Sequence, residues 1–164
     1  RLEILCGMRA YDYVNRLMEQ NRKNSALLSA KPTETNAAAE RMAEELAGVK
    51  YRVSQLENEL FSLKAKAYAG ESNVLLFESA MSPDAVRRFA DAILAGCTGR
   101  IAIFAGDDEA GYKYALCQKD GDLRQTVKAL NAACNGRGGG KPFFAQGSVQ
   151  ASRAQLEAFF ASLG

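Results

Sequence analysis

Eight apolar residues, Met42, Leu46, Val49, Val53, Leu56, Leu60, Leu63 and Ala67, follow one another by alternating steps of four and three. That spacing lines one side of an α-helix with an apolar seam, and a seam of this kind is covered by a partner helix. One long helix is therefore expected, from a cap at Thr33 or Thr35 to about residue 69, with Gly70 ending it. A first helix is expected over residues 9–28, with Ala10, Val14, Leu17, Asn21, Asn24 and Leu28 on one stripe. A turn around Pro32 would fold the two into an antiparallel, coiled-coil-like hairpin, its register set by the two asparagines. The second helix is the longer, so part of its seam stays free. A hairpin closed within one chain and a homodimer through Leu46, Val49, Val53, Leu56, Leu60 and Leu63 both remain open.

After Gly70 the period changes. Residues 74–77 form a short apolar run, as in a buried strand. Ser82 and Pro83 place an N-cap and a first-turn proline before a helix bearing Val86, Phe89, Ala90, Ile93 and Leu94. Residues 101–105 and 112–117 read as a strand hairpin around the polar tip Asp107, Asp108 and Glu109. Asp122 caps a helix with Leu123, Val127 and Leu130 on one face. A glycine-rich loop follows, then a short strand near Phe144, and Ser152 with Gln155 makes a capping box for a last helix. The fold class is therefore a helical arm over residues 1–70, opened by a strand over residues 1–6, followed by a small α/β domain over residues 71–164 with a mixed sheet flanked by helices.

Composition removes several kinds of chemistry. The chain has no histidine, hence no Ser-His or Cys-His nucleophile pair and none of the commonest zinc ligand. Cys6, Cys97, Cys117 and Cys134 form no CxxC pair and read as reduced, mostly buried thiols. No metal site and no catalytic residue is assigned. No apolar run approaches the roughly 18 residues that a membrane span needs. The chain opens at Arg1 in a strand-like run and is read as a piece of a longer protein.

The net charge is only +2, but its distribution is uneven. Over residues 123–156 there is no acid, while Arg124, Lys128, Arg137, Lys141 and Arg153 all fall there. Within this zone lies the run Gly136-Arg137-Gly138-Gly139-Gly140-Lys141-Pro142. Three glycines between two cations suit a surface where successive backbone N–H groups line a concavity and donate to phosphate oxygens. Arg124 and Lys128, one turn apart on the preceding helix, add charge. Lys141 is followed by proline rather than Ser or Thr, so the run is no Walker loop. No strand leads directly into it, which excludes a dinucleotide fingerprint. A solvated flexible loop is the plain alternative. Tyr112 and Tyr114 admit either packing or stacking on a base.

The run from Arg137 through Lys141-Pro-Phe-Phe-Ala-Gln146-Gly147 resembles the DHH-associated C-terminal domain, in which the loop typically reads GGGGKPDFAQGG. That domain ends alanyl-tRNA synthetases, their free-standing editing relatives and DHH phosphoesterases, and the Lys-Pro…Phe-Ala-Gln continuation favours the alanyl branch. Phe143 stands where that pattern has Asp. The opening ten residues, RLEILCGMRA, resemble the RIEFVCGGRA segment with which the editing domain of the same proteins ends. The order of strand exit, helices, α/β domain and glycine loop then covers nearly the whole chain.

The resemblance implies a tRNA-binding and dimerising module of a cytoplasmic alanyl-tRNA editing protein or synthetase, with alanine tRNA and a second copy as partners. The binding role falls on Arg124, Lys128, Arg137, Gly138, Gly139, Gly140, Lys141 and Gln146. The family's editing centre holds zinc through an HxxxH…CxxxH pattern, which is absent here, so zinc and the hydrolase activity are expected in another part of the parent protein. The second reading is the phosphate-gripping domain of a DHH phosphoesterase acting on short oligonucleotides.

Overall fold

The computed structural model describes residue 4 and residues 6–163. Most of the strand expected over residues 1–6 lies outside the described residues. Two compact units divide within one long helix, Arg1–Val53 and Ser54–Gly164.

The first unit contains α1 (Met8–Leu27) and the first half of α2 (Thr35–Ala65). Gly7, at φ +58, starts α1 through its carbonyl, which accepts from the N–H of Ala10. Asn21 bonds the start of α2 rather than a position along its seam. Its Nδ2 donates to the carbonyl of Pro32 at 2.7 Å, and its Oδ1 accepts from Thr35 Oγ1 at 2.9 Å. It therefore ties the connection between the helices. Asn24 is exposed. No residue of α1 is buried, and Met42, Leu46 and Val49 on α2 stay 53, 53 and 60% exposed. The seam is long and regular, but α1 does not cover it.

The second unit is a three-layer α/β domain. After α2 and a single 3-10 turn, Gly70 turns the chain at φ +87 into β1 (Val74–Glu78). Then come α3 (Pro83–Leu94), β2 (Arg100–Asp107), β3 (Gly111–Gln118), α4 (Arg124–Ala133), β4 (Arg137–Lys141), β5 (Phe144–Val149) and α5 (Arg153–Ala161). The sheet order is β1-β2-β3-β5-β4, with β1 parallel to β2 and the other neighbours antiparallel. Ser82 caps α3 by accepting from Ala85 N, with Pro83 in the first turn, and the capping box of Ser152 and Gln155 opens α5. Both are the caps the sequence leads one to expect.

Side chains alternate along each strand and so feed two cores. On one face α3 brings Val86, Phe89 and Ile93 onto Ile101, Ile103, Ala115 and Cys117. On the other, Leu123, Val127 and Leu130 from the α4 region and Leu156 of α5 pack on Phe104, Tyr114, Leu116 and Ala145. The last turns of α2 join the first core through Phe61, which is 2% exposed and stacks on Phe89 at 4.7 Å between ring centroids. Phe61 lies off the heptad seam; Leu56, Leu60 and Leu63 remain exposed on α2.

Arg88 of α3 holds this end of α2. Its guanidinium donates to Glu57 at 2.5 Å, to Asn58, to the carbonyl of Ser54 at 3.2 Å and to Asp84 at 2.9 Å. Burial works against the charge, but the hydrogen bonds to Glu57 and Asp84 outweigh it and raise the pKa of the guanidinium above its ordinary value.

Candidate nucleic-acid interface

The glycine run is not a loop. Residues Arg137–Lys141 form β4, the edge strand of the sheet, and every one of them is exposed. Glycine is a poor strand former, so the hairpin rather than local preference holds this segment extended. Pro142 and Phe143 make a two-residue turn into β5, fastened by Leu123 N donating to the carbonyl of Pro142 at 2.8 Å and Gln118 N donating to that of Phe143 at 3.1 Å. At the other end Cys134 closes α4, Asn135 turns at φ +46, and Gly136 N donates to the carbonyl of Asn131.

Close packing explains most of the glycines. Gly138 faces Gly147 across the ladder. A Cβ on Gly138 would lie 2.3 Å from Tyr114 Oη and 2.7 Å from Gly147 Cα, and one on Gly147 would lie 2.8 Å from the Tyr114 ring. A Cβ on Gly140 would meet the Phe144 carbonyl at 2.2 Å. At Gly139 nothing stands within 4 Å. Its lack of a side chain leaves the strand bare on one side without serving the fold.

Strand geometry also divides the candidate residues. Arg137 pairs with Ser148, Gly139 with Gln146 and Lys141 with Phe144, so these share the sheet face on which α3 lies. There Arg137, Lys141 and Gln146 are exposed. Gly138 and Gly140 present their bare side to the face of α4. An antiparallel ladder closed by a two-residue turn sends the amides of Arg137, Gly139 and Lys141 toward β5 and those of Gly138 and Gly140 to the open edge. The expectation of several consecutive N–H groups around one concavity is thus corrected: a strand alternates them.

The open edge faces α4 across a groove of about 270 Å³ lined by Arg124, Lys128, Asn131 and residues 138–141. Arg124 and Lys128 therefore share a groove with the glycine strand, while Arg137 and Gln146 lie on the other side of it. Asn131 joins this groove without a sequence signal. Its Nδ2 donates to the Gly138 carbonyl at 3.0 Å, and its Oδ1 accepts from Tyr114 Oη at 3.1 Å. A place on the exposed side of a helix pattern gives no sign of such a bridge. Tyr114 is 2% exposed, and Tyr112 is buried as well, so neither ring is open to a base.

The charges are not equally free. Asp122 stands one residue before the formal N-cap Leu123 and still takes the first amide of α4, and it grips Arg124 as well: it accepts from the backbone N–H at 3.0 Å and from the guanidinium at 2.6 to 2.9 Å. That hydrogen bonding holds the Asp122 carboxyl well below the usual range, at about 2. Arg124 is thereby partly neutralised and fixed in direction. Lys141 lies 5.9 Å from the centre of the Phe143 ring, at the turn. Among the described residues no acid forms an ion pair with Lys128, Arg137 or Lys141.

The donor set does not fit the zinc that the sequence resemblance implies for an editing centre. The chain has no histidine, and Cys97, Cys117 and Cys134 are buried. Cys97 donates to the Tyr68 carbonyl at 3.0 Å, and burial pushes the Cys117 thiol up to about 12, which favours the thiol over the thiolate a metal binds. No helix among the described residues is long and apolar enough to cross a membrane.

The chain is 29% identical to an alanine–tRNA ligase of Dehalococcoides mccartyi over 96% of its own length. It spans about a fifth (19%) of that relative. Among solved structures it is similar to a manganese complex of RecJ from Thermus thermophilus, with a TM-score of 0.56 and 18% identity, covering 86% of this chain and 22% of that one. It is also similar to the C-Ala domain of Aquifex aeolicus alanyl-tRNA synthetase, with a TM-score of 0.48 and 14% identity, covering 58% of this chain and 90% of that one. The RecJ likeness concerns the fold alone. Residues 70–163 match the model of the DHHA1 domain, and the chain belongs to that family.

Proposed function

We propose that this chain is the tRNA-binding module of an alanyl-tRNA editing protein or alanyl-tRNA synthetase, working in the cytoplasm with alanine tRNA as its partner. The observation that carries the reading is the exposed glycine strand β4, with Gly139 bare on one side and cations beside it on both sheet faces. A sugar–phosphate chain lies along this strand. Phosphate oxygens accept from the edge amides of Gly138 and Gly140 and from Arg124 and Lys128 on the α4 side. Arg137, Lys141 and Gln146 hold the chain on the other side. Such contacts recognise charge and backbone shape rather than base identity. The chain itself carries no catalytic group for the parent's chemistry; zinc and aminoacyl-ester hydrolysis, or aminoacylation, belong to other parts of the parent.

The exposed seam of Leu46, Val49, Val53, Leu56, Leu60 and Leu63 supports a second role, homodimerisation through α2. Sedimentation of the chain carrying Leu56→Asp and Leu60→Asp tests this separately from RNA binding.

The test of the main role is a fluorescence-anisotropy titration of alanine tRNA against Arg137→Glu plus Lys141→Glu. Affinity is expected to fall about tenfold or more, because each substitution removes a cation that neutralises one or two phosphates. Unchanged affinity would overturn the proposal. A DHH phosphoesterase module fits the same fold, and the similarity to an alanine–tRNA ligase over almost the whole chain favours the tRNA reading.

A further inference from the structure

A second concavity, of about 520 Å³, opens at the end of the sheet where β2 turns into β3. It lies on the same sheet face as Arg137 but at the opposite end of β4 from Lys141. Its floor is a row running across three strands: Lys113 on β3 pairs with Ser148 on β5, which pairs with Arg137 on β4. All three are exposed. Lys113 sits between the buried Tyr112 and Tyr114, so strand alternation turns it away from their core and onto the open face. Met81, which packs on the α3 core, supplies an apolar wall, and Asn135 and Gln150 also line the cavity, the Gln150 amide donating to the Glu109 carbonyl at 3.3 Å. Asp107 is the acid on this lining. Its Oδ1 accepts from Glu109 N at 3.0 Å and Ala110 N at 2.7 Å and is thereby engaged within the hairpin tip.

The volume falls within the roughly 300–1,000 Å³ of small-molecule sites. Two cations flank a hydroxyl, and a phosphate placed above Ser148 is met from both sides. The wall beyond is apolar, with Met81 beside Ala80 and Ala105. We infer that this cavity seats one unstacked nucleotide of the RNA carried by β4, its phosphate on the Lys113–Ser148–Arg137 row and its base against Met81. This rests on the nucleic-acid reading of β4 and deepens it: the bound strand does not stop at the sheet edge but crosses β5 to β3.

The experiment measures alanine tRNA binding by the full chain as a function of salt, with Lys113→Gln and with Ser148→Asp, beside Lys128→Gln plus Lys141→Gln. Lys113→Gln is expected to reduce the slope of log K against log salt by about 1, the value of a single phosphate contact. Ser148→Asp, which sets a negative charge between the two cations, is expected to weaken binding at least as much. Both positions are exposed, and circular dichroism melts confirm that each variant is folded. If the Lys128/Lys141 variant loses affinity while Lys113→Gln and Ser148→Asp bind as the parent chain does, the nucleotide seat is wrong and the β4 reading stands. If none of the variants changes binding, both fall. A parallel titration with free AMP separates the two sources of a nucleotide. Saturable AMP binding that Lys113→Gln abolishes, with tRNA binding unaffected, would overturn the seat as an RNA subsite.

Discussion

Asn131 stands between Tyr114 and Gly138, accepting from the buried phenol at 3.1 Å and donating to the carbonyl of the exposed strand at 3.0 Å. One amide thus ties the core to the edge of the sheet, and the position of β4 relative to α4 depends on it. Asn131→Leu removes both bonds and leaves a buried hydroxyl and a strand carbonyl without this partner. The expected cost is about 1–3 kcal/mol. Tyr114→Phe in the same background should restore part of it, because the orphaned hydroxyl goes. Chemical denaturation of the single and double variants checks this; additive losses would contradict the bridge.

The glycines of β4 differ in what they do. Gly138→Ala forces a methyl group against Tyr114 Oη and Gly147, and such overpacking costs about 1–3 kcal/mol. Gly139→Ala meets nothing within 4 Å and should leave the melting temperature unchanged. With the RNA backbone on β4 as proposed, it should nonetheless weaken tRNA binding, since the methyl group would stand on the bare side of the strand. Equal melting temperatures for the two variants, or equal tRNA binding by Gly139→Ala and the parent chain, would contradict this assignment.

Arg88 fastens the last turns of α2 to α3 through Glu57, Asn58 and Ser54. Arg88→Ala leaves these acceptors without their charged donor and is expected to destabilise the second unit by about 1.5–3 kcal/mol, the range for hydrogen bonds to charged groups. Phe61→Ala, which empties a site in the same packing, should cost about 3–5 kcal/mol. Guanidinium titrations followed by tyrosine fluorescence give both values.

Acid should destabilise the fold through two carboxylates. Asp108 is held below the usual range chiefly by the Tyr112 hydroxyl and also by the Arg153 backbone N–H, and Asp122 is held at about 2 by Arg124. A depressed folded value means that the stabilisation is fully present above the unfolded value, about 3.9 for Asp, and is lost as pH falls through the folded value. Stability should therefore decline between about pH 4 and pH 2, and Asp108→Asn should flatten that decline. Melting temperatures across this interval decide the matter; a profile identical in the variant would contradict it.

Much of this architecture is legible in the sequence because its signals are local. Ser82-Pro83 and Ser152 with Gln155 are cap chemistry, and apolar runs mark β1, β2 and β3. What the sequence hides is set by tertiary contacts. Glycines carry no β-preference, so β4 reads as a loop, and only the pairing with β5 makes it a strand. Its alternation then puts Arg137, Lys141 and Gln146 on one face and Arg124 and Lys128 across the strand. Lys113 does leave a trace, a lone cation between two aromatic residues at strand spacing. Phe61 lies outside the heptad pattern, which marks a face of α2 that this chain leaves exposed.

In the proposed complex the glycine edge strand receives the RNA backbone. Amide hydrogen exchange, measured residue by residue on the full chain with and without saturating alanine tRNA, tests it most directly. The open-edge amides of Gly138 and Gly140 should exchange quickly in the free chain and slow by about tenfold or more in the complex, while those of α5 stay as they were. Slowed exchange confined to α1, α2 or α5, with Gly138 and Gly140 unchanged, would contradict it.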